Sequence, residues 1–295
     1  MKKIGWIGLG KMGHPMAMNL AEKGYELAVY NRTKSKTAEL VAAGATDPDS
    51  IGEVAEQSDI IITMVSDDTA LEAIALDPDG VFAKASSGST FIDMSTVSPV
   101  LSEKIAAAAE AKGLNYLRAP VNGSVIQAAG ATLVILISGP KSAYEEHLDI
   151  FQTMGDNEKI FYTGSTEQAR YLKLSINMMV GVTSIMMAEA LALGESGGLE
   201  WEQMVDIIRH SAVGSPVVNY KEQTLKNRDY TPAFTATQMA KDFDLMLDAG
   251  KAGNVPLNIA SLVRQNWSAM IATGRGDFDF FGYLDLQEEM SGLKK

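Results

Sequence analysis

The chain has 295 residues, a length typical of two domains, and 46% of them are hydrophobic, enough for a sizeable core. A formal net charge of −12 argues against nucleic acid or an anionic membrane as a partner. The absence of cysteine excludes disulfides and thiolate chemistry, and three scattered histidines argue against a metal site. With no secretory signal after Met1, we expect a cytoplasmic protein.

Short β-branched segments alternate with helical patterns in the first half of the chain. Helical patterns follow the first glycines and cover residues 36–43, 99–112 and 143–154. This alternation predicts βαβ crossovers and hence an α/β Rossmann-type fold with a doubly wound parallel sheet. The predicted strands are residues 4–7, 26–30, 59–65, 90–93, 116–117 and 133–137.

Two of these strands end in small polar residues, in the segments ITMVSDD and FIDMST. Ligands of open α/β sheets bind outside the carboxyl ends of the strands. We therefore expect one crevice to be lined by Met64, Val65, Ser66, Ser95 and Thr96.

The second half reads as helix only, with patterns over residues 167–194, 200–211, 217–226, 235–249, 256–273 and 280–291. We place the domain boundary near Gly164, giving a Rossmann domain over 1–163 and an all-α domain over 164–295 for substrate and oligomer contacts. A long interdomain helix starts there, capped by Ser165 or Thr166. Its apolar segment 174–188 is too short and too polar to span a bilayer, so we predict a core helix.

The segment GLGKMG follows the first strand and opens a helix. Glycines in this spacing allow a tight turn, a close backbone approach to a pyrophosphate, and close helix–strand packing. An ordinary glycine turn is the alternative. In this context we predict dinucleotide binding by Gly8, Leu9, Gly10, Lys11, Met12 and Gly13.

The second strand ends in NRTKSK, where an NAD site would carry an acidic residue for the ribose hydroxyl. Asn31 stands there instead, so no carboxylate repels a 2′-phosphate, and the Arg32 guanidinium can bind one in bidentate fashion. Thr33 and Lys36 add donors. These residues predict NADP(H) rather than NAD, the alternative being that Arg32 is a solvated turn residue.

The motifs together resemble the β-hydroxyacid dehydrogenase family, related to 3-hydroxyisobutyrate dehydrogenase. GLGKMGHPMAMNL matches its opening signature, and DMST, RAPVNGS, KLSIN and AKDFDL match later motifs in order. The motifs are most like those of its NADP-dependent glyoxylate/succinic semialdehyde reductases. Carried over by position, the resemblance implies substrate contacts at Ser95, Asn122, Gly123, Ser124 and Asn177, cofactor contacts at Thr96 and Lys241, and a catalytic role for Lys173.

Lys173 also suits the chemistry without the family. Reduction of a carbonyl leaves an alkoxide that needs a proton, and without cysteine or a histidine pair lysine is the best remaining acid. Lys173 and Asn177 are four residues apart and share a helix face. Burial or a neighbouring cation such as Lys241 would lower the lysine pKa from about 10.4. The alternatives are a surface lysine at 173 and an exposed Lys241–Asp242 charge pair.

The substrate loop departs from the family pattern. Arg118 replaces an aspartate and Asn122 a serine, although an Asn amide still donates to a carboxylate. Arg118 is either a second anion contact or a plain surface residue at a strand end. Glycines of the family are replaced by Ser124, Gln127, Ala131, Glu167 and Ala169.

Three functions follow as hypotheses. The first is NADP(H)-dependent hydride transfer between nicotinamide and a small aldehyde, keto acid, or β- or γ-hydroxyacid of the glyoxylate or semialdehyde type. The second is imine reduction on the same scaffold, against which the retained Lys173 argues and for which the altered substrate loop argues mildly. The third is a non-catalytic NADP-binding module. The family also implies a homodimer or homotetramer formed through the helical half.

Overall fold

The computed structural model describes residues 2–293. Its contacts divide the chain into two units, Met1–Lys173 and Leu174–Lys295. The predicted boundary at 163/164 lies earlier, because the beginning of the long helix belongs by its contacts to the first unit. Glu167 and Arg170 there are buried within the first unit.

The first unit is built on one mixed sheet. Among the described residues, its strand order is β2-β1-β3-β4-β5-β7-β6, and β8 pairs with β7. The strands are β1 (Ile4–Ile7), β2 (Leu27–Tyr30), β3 (Ile60–Thr63), β4 (Thr90–Asp93), β5 (Asn115–Arg118), β6 (Val121–Asn122), β7 (Leu133–Ser138) and β8 (Gly155–Gly164). The helices are α1 (Gly13–Glu22), α2 (Ala38–Ala42), α3 (Ile51–Glu56), α4 (Asp68–Leu76), α5 (Val81–Lys84), α6 (Pro99–Ala111), α7 (Val125–Ala129), α8 (Lys141–Glu146) and α9 (Leu148–Met154).

Five strands of this sheet, β1 to β5, run parallel. Every residue of β1, β3 and β4 is buried, as expected for strands covered by helices on both faces. β2 lies on one side of β1 and β3 lies on the other, so the strand order reverses at β1. The topological switch point therefore lies at the carboxyl ends of β1 and β3. The α/β Rossmann prediction is confirmed, and the glycine loop lies at that switch point.

The far edge of the sheet differs from the prediction. The segment around 133–137 was expected in a parallel sheet, but β7 runs antiparallel to both β5 and β6. The connection after β5 folds back through β6 and the five-residue α7, which is too little helix for a parallel crossover. β8, which runs parallel to β7, was not predicted.

The helix predicted over 143–154 is two helices, α8 and α9, separated at His147. His147 is buried and its Nε2 lies 2.8 Å from the Thr90 hydroxyl. Burial first, and then Lys2, lower the pKa of this imidazole. The side chain therefore belongs to the interior beneath β4.

In its described part the second unit is helical, apart from one isolated bridge between Thr235 and Asp279. Its core stacks Phe243, Trp267 and Tyr283 edge to face. The predicted helix 217–226 is broken at Lys221, which turns inward to pair with Asp279. The helices are α10 (Gln168–Ser196), α11 (Trp201–His210), α12 (Pro216–Tyr220), α13 (Glu222–Asn227), α14 (Ala236–Ala252), α15 (Asn258–Ala272) and α16 (Tyr283–Met290).

The long helix α10 begins in the first unit and continues into the second. It has 29 residues, and an 18-residue window of it has a mean hydropathy of 1.6, so by length and composition alone it is long and apolar enough to cross a membrane. The argument that this segment is too short is therefore wrong. Core helices of soluble proteins meet the same criterion, and 39% of the window is buried in the described structure. A core or interface helix stays a prediction.

Candidate active site

The three glycines after β1 differ in what surrounds them. A Cβ on Gly8, whose φ is 103°, would lie 2.3 Å from the Met64 carbonyl oxygen, and one on Gly13 would lie 2.1 Å from the Gly8 carbonyl oxygen. A Cβ on Gly10 would meet nothing within 4 Å in the described structure. Gly8 therefore makes the tight turn, Gly13 allows close packing, and Gly10 leaves the backbone open to a ligand.

The loop also has the polarity that a phosphate requires. Helix α1 begins at Gly13, and no described side chain caps it. Amide groups at such a helix end favour an anion. The loop and helix end, formed by Gly8 to Gly13 with Lys11 exposed, fit the pyrophosphate of a dinucleotide.

Asn31 connects the glycine loop to the loop after β2. Its Oδ1 accepts a hydrogen bond of 2.9 Å from the Leu9 amide, and its Nδ2 donates to the Thr33 carbonyl at 3.0 Å. Arg32, Thr33 and Lys36 are exposed beyond it. Asn31 thus shapes the loop through both ends of its amide, and Arg32 remains facing solvent.

At the ends of β3 and β4, Ser95 is a structural link. Its hydroxyl donates to Asp93 at 2.6 Å and accepts from the Val65 amide at 2.9 Å, and the residue has no exposed surface. The Ser95 hydroxyl is thus engaged within the protein, and the substrate contact predicted for Ser95 stays a prediction. Met64, Val65 and Thr96 are partly exposed, and Ser66 is exposed.

Lys173 lies on the second turn of α10 and is 9% exposed. Its Nζ donates to Asn122 Oδ1 at 2.9 Å, so the substrate loop and the predicted catalytic lysine do come together. Asn122 Nδ2 is buried and has no hydrogen-bond partner among the described residues. Since Lys173 uses the amide oxygen, the unpaired donor is available to an acceptor on a ligand.

Asn177 lies one turn after Lys173 on α10. In the second unit its Nδ2 donates to Asp242 Oδ2 at 2.6 Å, and Lys241 Nζ lies 2.9 Å from Asp242 Oδ1. Asp242 is fully buried, so the pair is not an exposed charge pair. One turn further along α10, Gly181 accommodates the ring of Phe243.

The loop after Asn122 is closed by a capping box. Gln127 Oε1 accepts from the Ser124 amide at 2.8 Å, and the Ser124 hydroxyl accepts from the Ile126 amide at 3.2 Å. Gln127 therefore occupies the Ser124 amide, and the contact predicted between Ser124 and substrate stays a prediction. Gly123 has a φ of 137°, and a Cβ there would lie 2.8 Å from Leu133.

Arg118 matches neither interpretation given to it. It is 5% exposed, its Nη2 pairs with Glu167, and its guanidinium lies 4.4 Å from the centre of the Tyr116 ring. Arg118 and Glu167 are both departures from the family pattern, and here they form one buried ion pair. At the start of α10, Gln168 Oε1 accepts a hydrogen bond of 2.8 Å from the Thr166 amide.

Arg170 was missed by the sequence reasoning. Its Nη1 donates to the Ser95 carbonyl at 2.6 Å, and its Nη2 donates to Asp93 and, at 3.0 Å, to the Tyr116 hydroxyl. Burial alone would lower the pKa of this guanidinium, but Tyr116 and Asp93 outweigh burial and raise it. The available signal was a cation three residues before Lys173 on an otherwise apolar helix.

The site thus combines an open anion-binding loop with a buried lysine held by an amide. Among residues 2–293, no group of three or more histidine or carboxylate side chains is placed to hold a metal ion. Proton transfer by lysine and hydride transfer to or from a nicotinamide form a chemistry that these residues can serve.

Comparison with known families gives two adjoining matches. Residues 3–164 match the NAD binding domain of 6-phosphogluconate dehydrogenase, and residues 168–286 match the NAD-binding domain of NADP-dependent 3-hydroxyisobutyrate dehydrogenase. An NAD-dependent L-serine dehydrogenase of Pseudomonas aeruginosa is 35% identical, with 95% of this chain and 96% of the relative covered. Glyoxylate/succinic semialdehyde reductase 1 of Arabidopsis thaliana is 33% identical, covering 96% and 97%.

Solved structures also resemble this chain over nearly its whole length. The 3-hydroxyisobutyrate dehydrogenase of Mycobacterium tuberculosis, solved with L-serine, has a TM-score of 0.87 at 29% identity, covering 97% of this chain and 99% of that one. An imine reductase of Myxococcus stipitatus shares the fold with a TM-score of 0.67 at 21% identity, covering 96% and 99%. The relatives are dehydrogenases and reductases, which sets aside a non-catalytic module. The chain belongs to the β-hydroxyacid dehydrogenase family, whose members are NAD(P)-dependent oxidoreductases acting on CH–OH groups.

Proposed function

We propose that this protein is an NADP(H)-dependent reductase of a small aldehyde or keto acid, which in reverse oxidises the β- or γ-hydroxyacid. The observation that carries the proposal is the hydrogen bond between Lys173 Nζ and Asn122 Oδ1. It joins the predicted acid to the loop that would hold a substrate carboxylate. The Arabidopsis relative, named for glyoxylate and succinic semialdehyde, supports this substrate class.

Lys173 acts as the general acid. A nicotinamide, when bound, would supply a hydride to the carbonyl carbon. The Lys173 ammonium would deliver a proton to the carbonyl oxygen as negative charge develops there. In the oxidation the amine form of Lys173 takes the hydroxyl proton. Asn122 orients the ammonium through its Oδ1 and so limits the positions from which the proton is transferred.

Asn122 also favours an acidic substrate. Its Nδ2 is buried without a partner in the described residues, a costly arrangement unless a ligand supplies an acceptor. A substrate carboxylate is such an acceptor, with the Gly123 amide as a second donor. The Ser124 amide is not part of this proposal because Gln127 holds it.

The NADP preference rests on the loop after β2. No carboxylate is present at position 31, and the exposed Arg32 and Lys36 provide positive charge that suits a 2′-phosphate. Lys34 is less suited, since Asp47 and Asp49 already hold its ammonium at 3.1 and 3.2 Å. Family membership leaves this choice open, because one relative is NAD-dependent.

We also propose a cytoplasmic homodimer or homotetramer that binds neither nucleic acid nor membrane. Its support is an apolar stripe on α10 at a spacing of seven residues, formed by Met179, Met186 and Leu193. Their exposed fractions are 67%, 57% and 75%. A second copy of the chain would cover the stripe and remove apolar surface from water.

A substrate panel tests the proposal. Oxidation of NADPH and NADH is followed with glyoxylate, succinic semialdehyde, a neutral aldehyde and the cyclic imine 1-pyrroline, and the reverse reaction with L-serine and 3-hydroxyisobutyrate. We expect the highest kcat/KM with NADPH and an acidic aldehyde or keto acid. Preference for 1-pyrroline over every acid would replace the proposal with imine reduction, and preference for NADH would overturn the cofactor assignment.

A further inference from the structure

Arg170 connects the helix that carries Lys173 to the strand ends of the sheet. It lies one turn before Lys173 on α10, and its side chain is 1% exposed. One arm of its guanidinium holds the backbone carbonyl of Ser95, and the other holds the Asp93 carboxylate. A planar guanidinium fork satisfies both acceptors at fixed angles, which a lysine ammonium cannot do.

The connection continues beyond Asp93 to the neighbouring strand. Asp93 Oδ1 accepts from the Thr63 hydroxyl at 2.7 Å and from the Ser95 hydroxyl at 2.6 Å. The Ser95 hydroxyl in turn accepts from the Val65 amide at 2.9 Å. Arg170 therefore sets the conformation of the residues after both β3 and β4, where the nicotinamide end of the cofactor is expected.

A second buried ion pair in the same cluster provides an internal comparison. Arg118 pairs with Glu167, and its Nε lies 3.4 Å from the Ser102 hydroxyl, at the same distance as Arg170 Nε. The two pairs share Ser102 and Tyr116, and both are almost fully buried. Among the hydrogen bonds of the described residues, those of Arg118 reach neither Asp93 nor Ser95.

We propose that Arg170 is a positioning residue for hydride transfer, a role that rests on the proposed function. It holds Lys173 at a fixed place relative to the ends of β3 and β4, and thereby aligns the proton donor with the carbon that receives the hydride. Displacements of about 1 Å at reacting groups cost up to about 100-fold in rate while affecting binding far less. Arg170 should therefore act on kcat rather than on cofactor affinity.

The test compares Arg170→Lys with a matched control, Arg118→Met combined with Glu167→Gln. The control removes both charges of the second pair and so leaves no lone buried ion. In the cofactor-free protein, we expect Arg170→Lys to speed hydrogen–deuterium exchange of the amides of residues 64–66 and 95–97. With the best substrate of the panel, we expect kcat to fall about 10- to 100-fold and the isotope effect with 4-deuterated NADPH to rise. The NADPH Kd, by fluorescence titration, should stay within about threefold.

The control should leave exchange at both strand ends unchanged and kcat within about threefold of the wild type. The proposal is overturned if Arg170→Lys keeps wild-type exchange and kcat, or if the control loses as much kcat. Should Arg170→Lys fail to fold, Ser95→Ala tests the onward part of the connection, because it removes the links of the Ser95 hydroxyl to Asp93 and to the Val65 amide and leaves both Arg170 contacts in place. Wild-type exchange of residues 64–66 together with full retention of kcat in that variant would also overturn the proposal. Because exchange needs no turnover, an inactive wild type would reject the proposed function and leave the test of this connection intact.

Discussion

The cofactor end and the substrate loop of the first unit are made of different parts. At the cofactor end, Gly8, Gly10 and Gly13 act through backbone geometry, and the family pattern is kept. In the substrate loop, the contacts are made by side chains, and two of these residues, Asn122 and Gln127, depart from the family pattern. A backbone site requires glycine at particular positions, whereas a side-chain site can be rebuilt with other residues.

On the substrate side, the residues that depart from the family pattern occur in contacting pairs. Arg118 and Glu167 replace two family residues and pair with each other, and Ser124 and Gln127 replace two glycines and form one capping box. A single buried charge or a single bulky residue would be costly, while its partner offsets the cost. Departures that contact each other therefore indicate a reorganised but intact loop.

The largest expected effect is the loss of turnover when Lys173, the proposed general acid, is replaced. Lys173→Ala should lower kcat by about 10²- to 10⁴-fold, since general acid–base catalysis contributes that much. The NADPH Kd should not change, because the phosphates are expected at the glycine loop and not at Lys173. The exposed Lys141→Ala serves as control and should behave as wild type. A loss below tenfold would assign the proton to another group.

The cofactor end is tested by combining Asn31→Asp with Arg32→Ala. The aspartate still accepts from the Leu9 amide but repels a 2′-phosphate, and loss of a charge-assisted contact costs about 1.5–3 kcal/mol. NADPH should therefore bind roughly 10- to 150-fold more weakly and NADH should gain. Lys34→Ala is the control, since Asp47 and Asp49 hold that side chain. Equal use of both cofactors by the wild type would contradict the assignment.

The substrate loop is tested at Asn122. Asn122→Ala should lower kcat for all substrates, because Lys173 loses a partner. For glyoxylate it should cost a further 1–3 kcal/mol or so in kcat/KM, relative to acetaldehyde, because the carboxylate loses its amide donor. Asn122→Ser, which restores the family residue, should recover much of that difference. Losses of kcat/KM of the same size for the acid and the neutral aldehyde would show that Asn122 does not bind the substrate carboxylate.

The smallest effect concerns the stability cost of the altered loop. Ala131 has a φ of 52°, in the left-handed region that the family fills with glycine. Ala131→Gly should raise the free energy of unfolding by about 0.5–1 kcal/mol, because relief of strain exceeds the entropy that glycine adds to the unfolded chain. Asn254, at φ 54°, tolerates this region better, so Asn254→Gly should gain less. Chemical denaturation measures both, and a larger gain at Asn254 would refute the strain argument.

The sequence predicted the elements whose pattern depends on local chemistry. Buried apolar strands such as β1 and β3 and the glycine turn are examples. β8 was missed because most of its residues are only partly buried or exposed, and its DNEK segment lacks strand alternation. The break between α8 and α9 falls at His147, whose side chain bonds Thr90 far away in the chain, a contact that no local pattern records.

The candidate site likewise has a part that could be predicted from the sequence and a part that could not. The resemblance to the family brought Lys173 and Asn122 into one hypothesis, and the structure adds their hydrogen bond. It could not foresee that Ser95 is buried under Arg170 or that Gln127 takes the Ser124 amide. Both contacts depend on which side chain tertiary packing brings next to a buried donor or acceptor.

The most direct test of the central claim is transfer of deuterium from 4-deuterated NADPH to glyoxylate, with the product analysed by mass spectrometry. The wild type should form glycolate one mass unit heavier, Lys173→Ala should form it at least tenfold more slowly, and Asn122→Ser should retain the transfer. Absence of labelled product from glyoxylate and from every other acid of the panel, together with labelled pyrrolidine from 1-pyrroline, would contradict the account.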